Sequence, residues 1–284
     1  MPDPPALERL LKRDRIVTAV GVAALCLLAW IYTVAGAGVG MSAWQMTTFS
    51  LFPHQIIAAL DMPGMEMPGR DMSGAAGWSL FGWALIIAMW WIMMIAMMAP
   101  SAAPAILLYA GVHRQALARG QVQDKLAPTG AFAAGYLVLW LGFSVVAAAL
   151  HWALERVGLV SAMMMGSKSR WLSAGVLIAA GLYQLSPLKH RCLAHCRAPA
   201  SFLSRHWRPH GSGAFLLGVL HGLYCVGCCW MLMALLFVGG VMNLAWIAAL
   251  AALVLMEKVL PAGQWIRRAT GIVLLAWGAL TLTV

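Results

Sequence analysis

The sequence predicts an all-α fold, a polytopic helical membrane bundle of about seven transmembrane helices with its N-terminus inside and C-terminus outside. Three observations predict it. Of the 284 residues 62% are hydrophobic and 10% charged, and the mean hydropathy is +0.83, which is more apolar surface than one water-facing core buries. Nearly uncharged runs recur, several at the roughly 20-residue length that a hydrocarbon layer about 30 Å thick requires. The basic residues cluster on alternate connections between these runs.

The runs are 16–37, 79–99, 129–153, 171–187, 213–238, 243–257 and 269–284. The first follows Arg9, Lys12, Arg13 and Arg15, and Ala35-Gly36-Ala37 resembles a signal-peptidase site. Its length exceeds the usual apolar segment of a signal peptide, about 7–15 residues, so it reads as a retained anchor. In the second, apolar character continues past Pro100 and Pro104 to about Val112. Two prolines in so long a helix predict a kink or break, with freed carbonyls that need partners. The fourth, sixth and seventh runs are short, and the seventh ends at Val284. The chain therefore divides into a cytoplasmic segment with the first helix (1–37), an outer loop (38–78) and a six-helix membrane domain (79–284).

Net charge is +10. Fifteen of the 19 Lys and Arg lie before the first run or after the second, fourth and sixth; Arg70, Arg156, Lys168 and Arg170 are on the other side. The excess thus reports orientation in a membrane, and with no interleaving of basic and aromatic residues it argues against a nucleic-acid partner.

The connections differ in chemistry. The outer loop carries Met62, Met65, Met67 and Met72 among Asp61, Glu66 and Asp71, with His54 upstream. Its prolines and glycines exclude a helix. The methionine spacing resembles the copper-capturing segments of eukaryotic copper permeases, and a thioether remains a ligand where oxidation would pair free thiols. A plain flexible loop would look similar. A second outer connection holds Met163-Met164-Met165.

The inner connection 188–212 carries Cys192, His195 and Cys196, then His206 and His210. Cys192, Cys196, His206 and His210 could form a tetrahedral zinc site, with His195 able to replace either distant histidine. The same histidines could equally contact lipid phosphates.

The sharpest motif is His221-Gly222-Leu223-Tyr224-Cys225-Val226-Gly227-Cys228-Cys229-Trp230 in the fifth run. On a helix, His221 and Cys225 are i,i+4 neighbours, and Cys225 faces Cys228 and Cys229 at i+3 and i+4. Cysteine also packs as a small apolar residue. Three thiols with an imidazole inside one span point instead to metal or redox chemistry. In the second run Met89, Met93 and Met97 form an i, i+4, i+8 stripe, with Met94 and Met98 beside it. Such stripes fill cores, but opposite helix directions place Met93 and Met97 near the depth of His221 and Cys225. Soft thioether and thiolate ligands at one level favour Cu(I). Glu257, at the inner end of the sixth run, could pair with adjacent Lys258, carry protons or assist a metal.

Several segments together carry a resemblance: Trp90-Trp91 with Met93, Met94, Met97-Met98 and Pro100; Tyr183-Gln184 with Pro187-Leu188-Lys189, Cys192-Leu193 and Cys196-Arg197; Tyr224-Cys225 with Gly227-Cys228-Cys229-Trp230 and Leu232-Met233; and Gly240 with Met242, Trp246 and Glu257-Lys258. Over roughly residues 78–280 the chain resembles a bacterial family of predicted metal-binding integral membrane proteins whose domain is of unknown function. The resemblance implies an inner-membrane location and metal binding, and no established reaction. The outer methionines, His206 and His210 lie outside it.

The leading expectation is a copper-handling membrane protein. It would collect Cu(I) at Met62, Met65 and Met67 and pass it along Met89, Met93, Met97 and Met98. The ion would then reach His221, Cys225, Cys228 and Cys229, with Cys192, His195 and Cys196 accepting or sensing it inside. A metallochaperone or a copper enzyme would be the partner, zinc remaining an option at the inner loop. The alternatives are a membrane thiol-disulfide oxidoreductase and a non-enzymatic assembly factor for a copper enzyme. No carboxylate pair, Ser-His-Asp set or phosphate-binding glycine loop is present in the sequence, so hydrolase and nucleotide-driven pump chemistry lack support.

Overall fold

The computed structural model describes residues 4–38, 42–60, 79–122, 128–207 and 210–284. Its regular elements in these segments are helices: α1 (Pro4–Val34), α2 (Pro53–Leu60), α3 (Leu80–Ala118), α4 (Thr129–Arg156), α5 (Arg170–Leu185), α6 (Pro187–Arg197), α7 (Pro199–His206), α8 (Gly211–Ala234), α9 (Leu236–Gly239), α10 (Leu244–Val259) and α11 (Gly263–Thr283).

Four helical stretches are long and apolar enough to cross a membrane: 16–34 of α1, all of α3, all of α4, and α8 with α9. A fifth is reached if α5 and α6, bent by 64° at Ser186, are one broken span. The two remaining predicted runs are helical but weaker. Helix α10 has only 16 residues, and α11, though 21 long, opens on Gln264, Arg267 and Arg268. Large apolar side chains such as Val20, Leu27, Leu28 and Ile31 of α1 and Ile272 and Val273 of α11 point outward, the surface expected where lipid is the solvent.

Helix α3 spans 39 residues, about 58 Å at 1.5 Å per residue. The predicted break at its prolines does not occur: Pro100 and Pro104 lie inside one continuous helix. Two hydroxyls bond a carbonyl of this stretch. The Met98 carbonyl accepts from Ser101 Oγ at 2.8 Å and from Tyr136 Oη at 3.2 Å. The carbonyls that the two prolines leave without an N–H donor are those of Ala96 and Pro100, four residues before each.

The inner connection, read from sequence as a loop, folds as α6 and α7. Ser186 caps α6 by accepting from the Lys189 N–H at 3.2 Å, and Pro187 stands at the first helical position. Serine followed by proline is a helix start, and here it also turns the chain. Leu193, Phe202 and Leu203 bury the apolar face of this pair.

The bundle closes by small-residue packing. Helices α4 and α8, α5 and α11, and α1 and α3 lie side by side, while α6 rests on α8 and α10 on α3. A side chain at Gly218 would begin 2.0 Å from the Phe132 carbonyl oxygen, and one at Gly135 2.1 Å from that of Phe215. The α4 and α8 backbones therefore touch, as glycine permits. Gly218→Val should destabilise the detergent-solubilised protein by roughly 1–3 kcal/mol or more. Gly175→Ala, with no atom within 4 Å of the added carbon, should leave the melting temperature unchanged; equal melting of both variants would refute tight α4–α8 contact.

Before α10, Asn243 ties the chain preceding α2 to the bundle. Its Nδ2 donates to the Thr48 carbonyl at 3.0 Å, and its Oδ1 caps α10 by accepting from the Ala245 N–H at 3.1 Å. His54 of α2 is buried there, its pKa lowered by burial and by nearby Arg170.

Candidate metal centre

Helix α8 turns His221, Cys225, Cys228 and Cys229 to the interior, and all four are buried. Cys228 Sγ lies 3.1 Å from Cys229 Sγ and donates to the Cys225 carbonyl at 3.2 Å. Helix α6 adds a fourth thiol, Cys196, with Sγ 3.9 Å from Cys228 Sγ. Cys192, one turn earlier, sits over Gly227: a carbon added there would lie 3.0 Å from its sulfur. The missing side chain at Gly227 lets α6 approach α8, and Tyr183 donates to the same residue's carbonyl.

Two other helices reach the thiols. Tyr136 of α4 places its hydroxyl 3.2 Å from Cys225 Sγ. The same hydroxyl bonds the Met98 carbonyl, so the Met97–Met98 turn of α3 stands at the level of Cys225. From α10 the buried Lys258 ammonium donates to Cys225 Sγ at 3.0 Å and to Ser101 Oγ at 2.9 Å.

Met89, Met93, Met94, Met97 and Met98 are all fully buried. They share one hydrophobic core with Met46, Met165, Met233, Met242 and the α8 cysteines. Thioethers and thiols thus belong to one buried core.

Other sequence-selected residues go elsewhere. His221 is enclosed by aromatic rings, with centroids of Phe132 and Tyr136 at 5.9 Å and of Phe202 at 5.6 Å. His195 stacks on Tyr224 at 4.2 Å and its Nδ1 meets the Arg191 carbonyl at 2.9 Å. His206 Nδ1 meets the Phe202 carbonyl at 3.0 Å. His206 thus turns to its own helix, and among the described residues Cys192, Cys196, His206 and His210 do not form a tetrahedral group. Glu257 does not face Lys258. It pairs with Lys189 of α6 at 2.7 Å and accepts from Gln184 Nε2 of α5 at 2.7 Å. Met62, Met65, Met67 and Met72 lie outside the described residues.

Among the described residues no group of three or more His, Cys, Asp or Glu side chains stands ready to hold a metal ion. The thiol spacings explain why. Two sulfurs bound to one ion at about 2.3 Å stand roughly 3.8–4.0 Å apart at tetrahedral or trigonal angles. Cys196 and Cys228 meet this at 3.9 Å, whereas Cys228 and Cys229 at 3.1 Å are too close. The chemistry of the donors is soft throughout, thiol and thioether.

The profile of a family described as copper chaperone, PpoB2, matches residues 87–281. The chain belongs to this copper chaperone family. No curated protein and no solved structure matches the chain. The span matched by the PpoB2 copper chaperone family runs from α3 to α11 and takes in every thiol of the cluster and the buried α3 methionines. Helix α1, α2 and the outer methionine segment lie before it.

Sequence reasoning missed Tyr136, Ser101 and the role of Lys258, because each arrives from a different helix. One signal was available: Glu257 and Lys258 are adjacent, and adjacent helical residues point about 100° apart, so they could not share one face.

Proposed function

We propose that this chain is a multi-pass inner-membrane copper chaperone that carries Cu(I) through a buried thioether and thiol path. Cu(I) is cargo. It is captured by Met62, Met65 and Met67, passes along Met89, Met93, Met97 and Met98, and is held by two thiolates at a time, Cys225 one of them, within the cluster of Cys225, Cys228, Cys229 and Cys196, with His221 walling the site. Cys192 stands at the inner edge, where a soluble metallochaperone or copper enzyme collects the ion. The single observation that carries this reading is the convergence of four thiols from α6 and α8 at the level of the buried α3 methionines, in a chain of the copper chaperone family.

The orientation follows from the charge pattern. With seven crossings, α10 and α11 included, the termini are inside and outside respectively and the thiols face the inner half of the bilayer. The outward apolar residues of α11 and of α10, such as Val259, support counting both as spans, shortened helices being accommodated by local thinning of the bilayer.

A second reading has a specific observation in its favour: the contacts between Cys196, Cys228 and Cys229 would also suit disulfide exchange. Metal analysis separates the two. Protein purified under reducing conditions and loaded with Cu(I) should retain about one ion per chain after desalting, and deletion of 61–72 should slow loading from dilute copper. A chain that retains no copper yet gains a disulfide with a quinone oxidant would overturn the copper reading.

A further inference from the structure

The Lys258 ammonium is buried against sulfur, not carboxylate. Its hydrogen-bond partners are Cys225 Sγ at 3.0 Å and Ser101 Oγ at 2.9 Å, while neighbouring Glu257 is engaged by Lys189 and Gln184. A full positive charge therefore sits at the thiol cluster with the nearby carboxylate already taken. Buried charge is tolerated only when balanced. Bound thiols are deprotonated, so Cu(I) held by two thiolates carries a net charge of −1, which one ammonium cancels. Cys225 is the thiol the ammonium meets, and Cys228, on the same helix face, and Cys196 stand beside it to supply the second thiolate. A divalent ion on the same two thiolates is neutral by itself, and beside Lys258 it leaves the site positive.

We infer that Lys258 is a specificity-determining residue: it sets the charge of the site so that a monovalent soft cation on two thiolates is neutral there and a divalent one is not. The inference rests on the copper reading and deepens it. Tyr136 and Ser101 act beside it as neutral partners, fixing Cys225 and the ammonium without altering the charge count.

The test uses the full-length protein in detergent, with Ag(I) as an air-stable stand-in for Cu(I) and Cd(II) as a soft divalent ion. Wild type should bind Ag(I) the more tightly. Lys258→Met should weaken Ag(I) on the order of 100-fold, the effect of leaving one buried charge unpaired. Cd(II) affinity should fall by less than about 10-fold or rise, because two thiolates alone neutralise it. Lys258→Arg keeps the charge and should keep the preference. Equal losses for both ions, no change for either, or an Arg variant that behaves like Met would overturn the inference while leaving the copper reading in place. Absence of Ag(I) binding by wild type would remove both. Should Lys258→Met fail to fold, wild type still decides: Cd(II) bound as tightly as Ag(I), or three or more thiolates around Ag(I) by X-ray absorption, overturns the proposal.

Discussion

Cys225→Ser is expected to weaken Cu(I) binding by at least about 100-fold, while Cys192→Ser leaves it within about threefold, because a hard hydroxyl cannot replace a soft thiolate. Cys225 is the sulfur on which three helices converge: it lies on α8, with the Tyr136 hydroxyl of α4 at 3.2 Å and the Lys258 ammonium of α10 at 3.0 Å. Serine preserves the size of the side chain and its hydrogen bonds, so the loss reads out ligation and not folding. Cys192 is a graded control, since it lies over Gly227 on the face of α6 nearest Tyr183. Competition with a colorimetric Cu(I) chelator on monodisperse protein measures both. Retention of copper by Cys225→Ser would remove this thiol from the path, and equal loss in Cys192→Ser would move the site toward the inner surface.

The parts of this molecule that sequence discloses are those fixed within one helix. The three α8 cysteines share a face because i, i+3 and i+4 positions do so on any helix, and the α3 methionines are buried together for the same reason. What sequence could not disclose is which helices meet. The approach of Cys196 depends on the bend at Ser186 and on the open surface at Gly227, the contact of Tyr136 with Cys225 on the glycine packing of α4 against α8. Tyr136 reaches the Met98 carbonyl just before the two α3 prolines from a position that only tertiary structure defines. The two predicted runs weakest in length or apolarity, α10 and α11, carry polar clamps near their starts, Asn243 capping α10 and Arg267 donating to the Gln184 carbonyl.

Glu257→Gln should be the most destabilising single substitution near the site. Glu257 and Lys189 are 2.7 Å apart with side chains 2% and 0% exposed. Removing one charge strands the other, at a cost of about 3–5 kcal/mol. The double variant Lys189→Met with Glu257→Gln leaves no charge behind and keeps an acceptor for Gln184 Nε2, so it should recover most of that loss, a coupling of several kcal/mol in a double-mutant cycle. Thermal or denaturant unfolding in one detergent measures all four proteins. The functional consequence follows from where the pair sits. Lys189 belongs to α6, and α6 carries Cys196 to Cys228; Arg197 of the same helix holds the Leu260 carbonyl at 2.8 Å. Releasing the Glu257 anchor loosens α6 from α10 without touching α8, so Cys196 should become accessible to a thiol reagent while Cys225 stays protected. A double variant less stable than either single one, or unchanged Cys196 labelling in Glu257→Gln, would mean that α6 is held by its apolar face alone and that the ion pair does not position the fourth thiol.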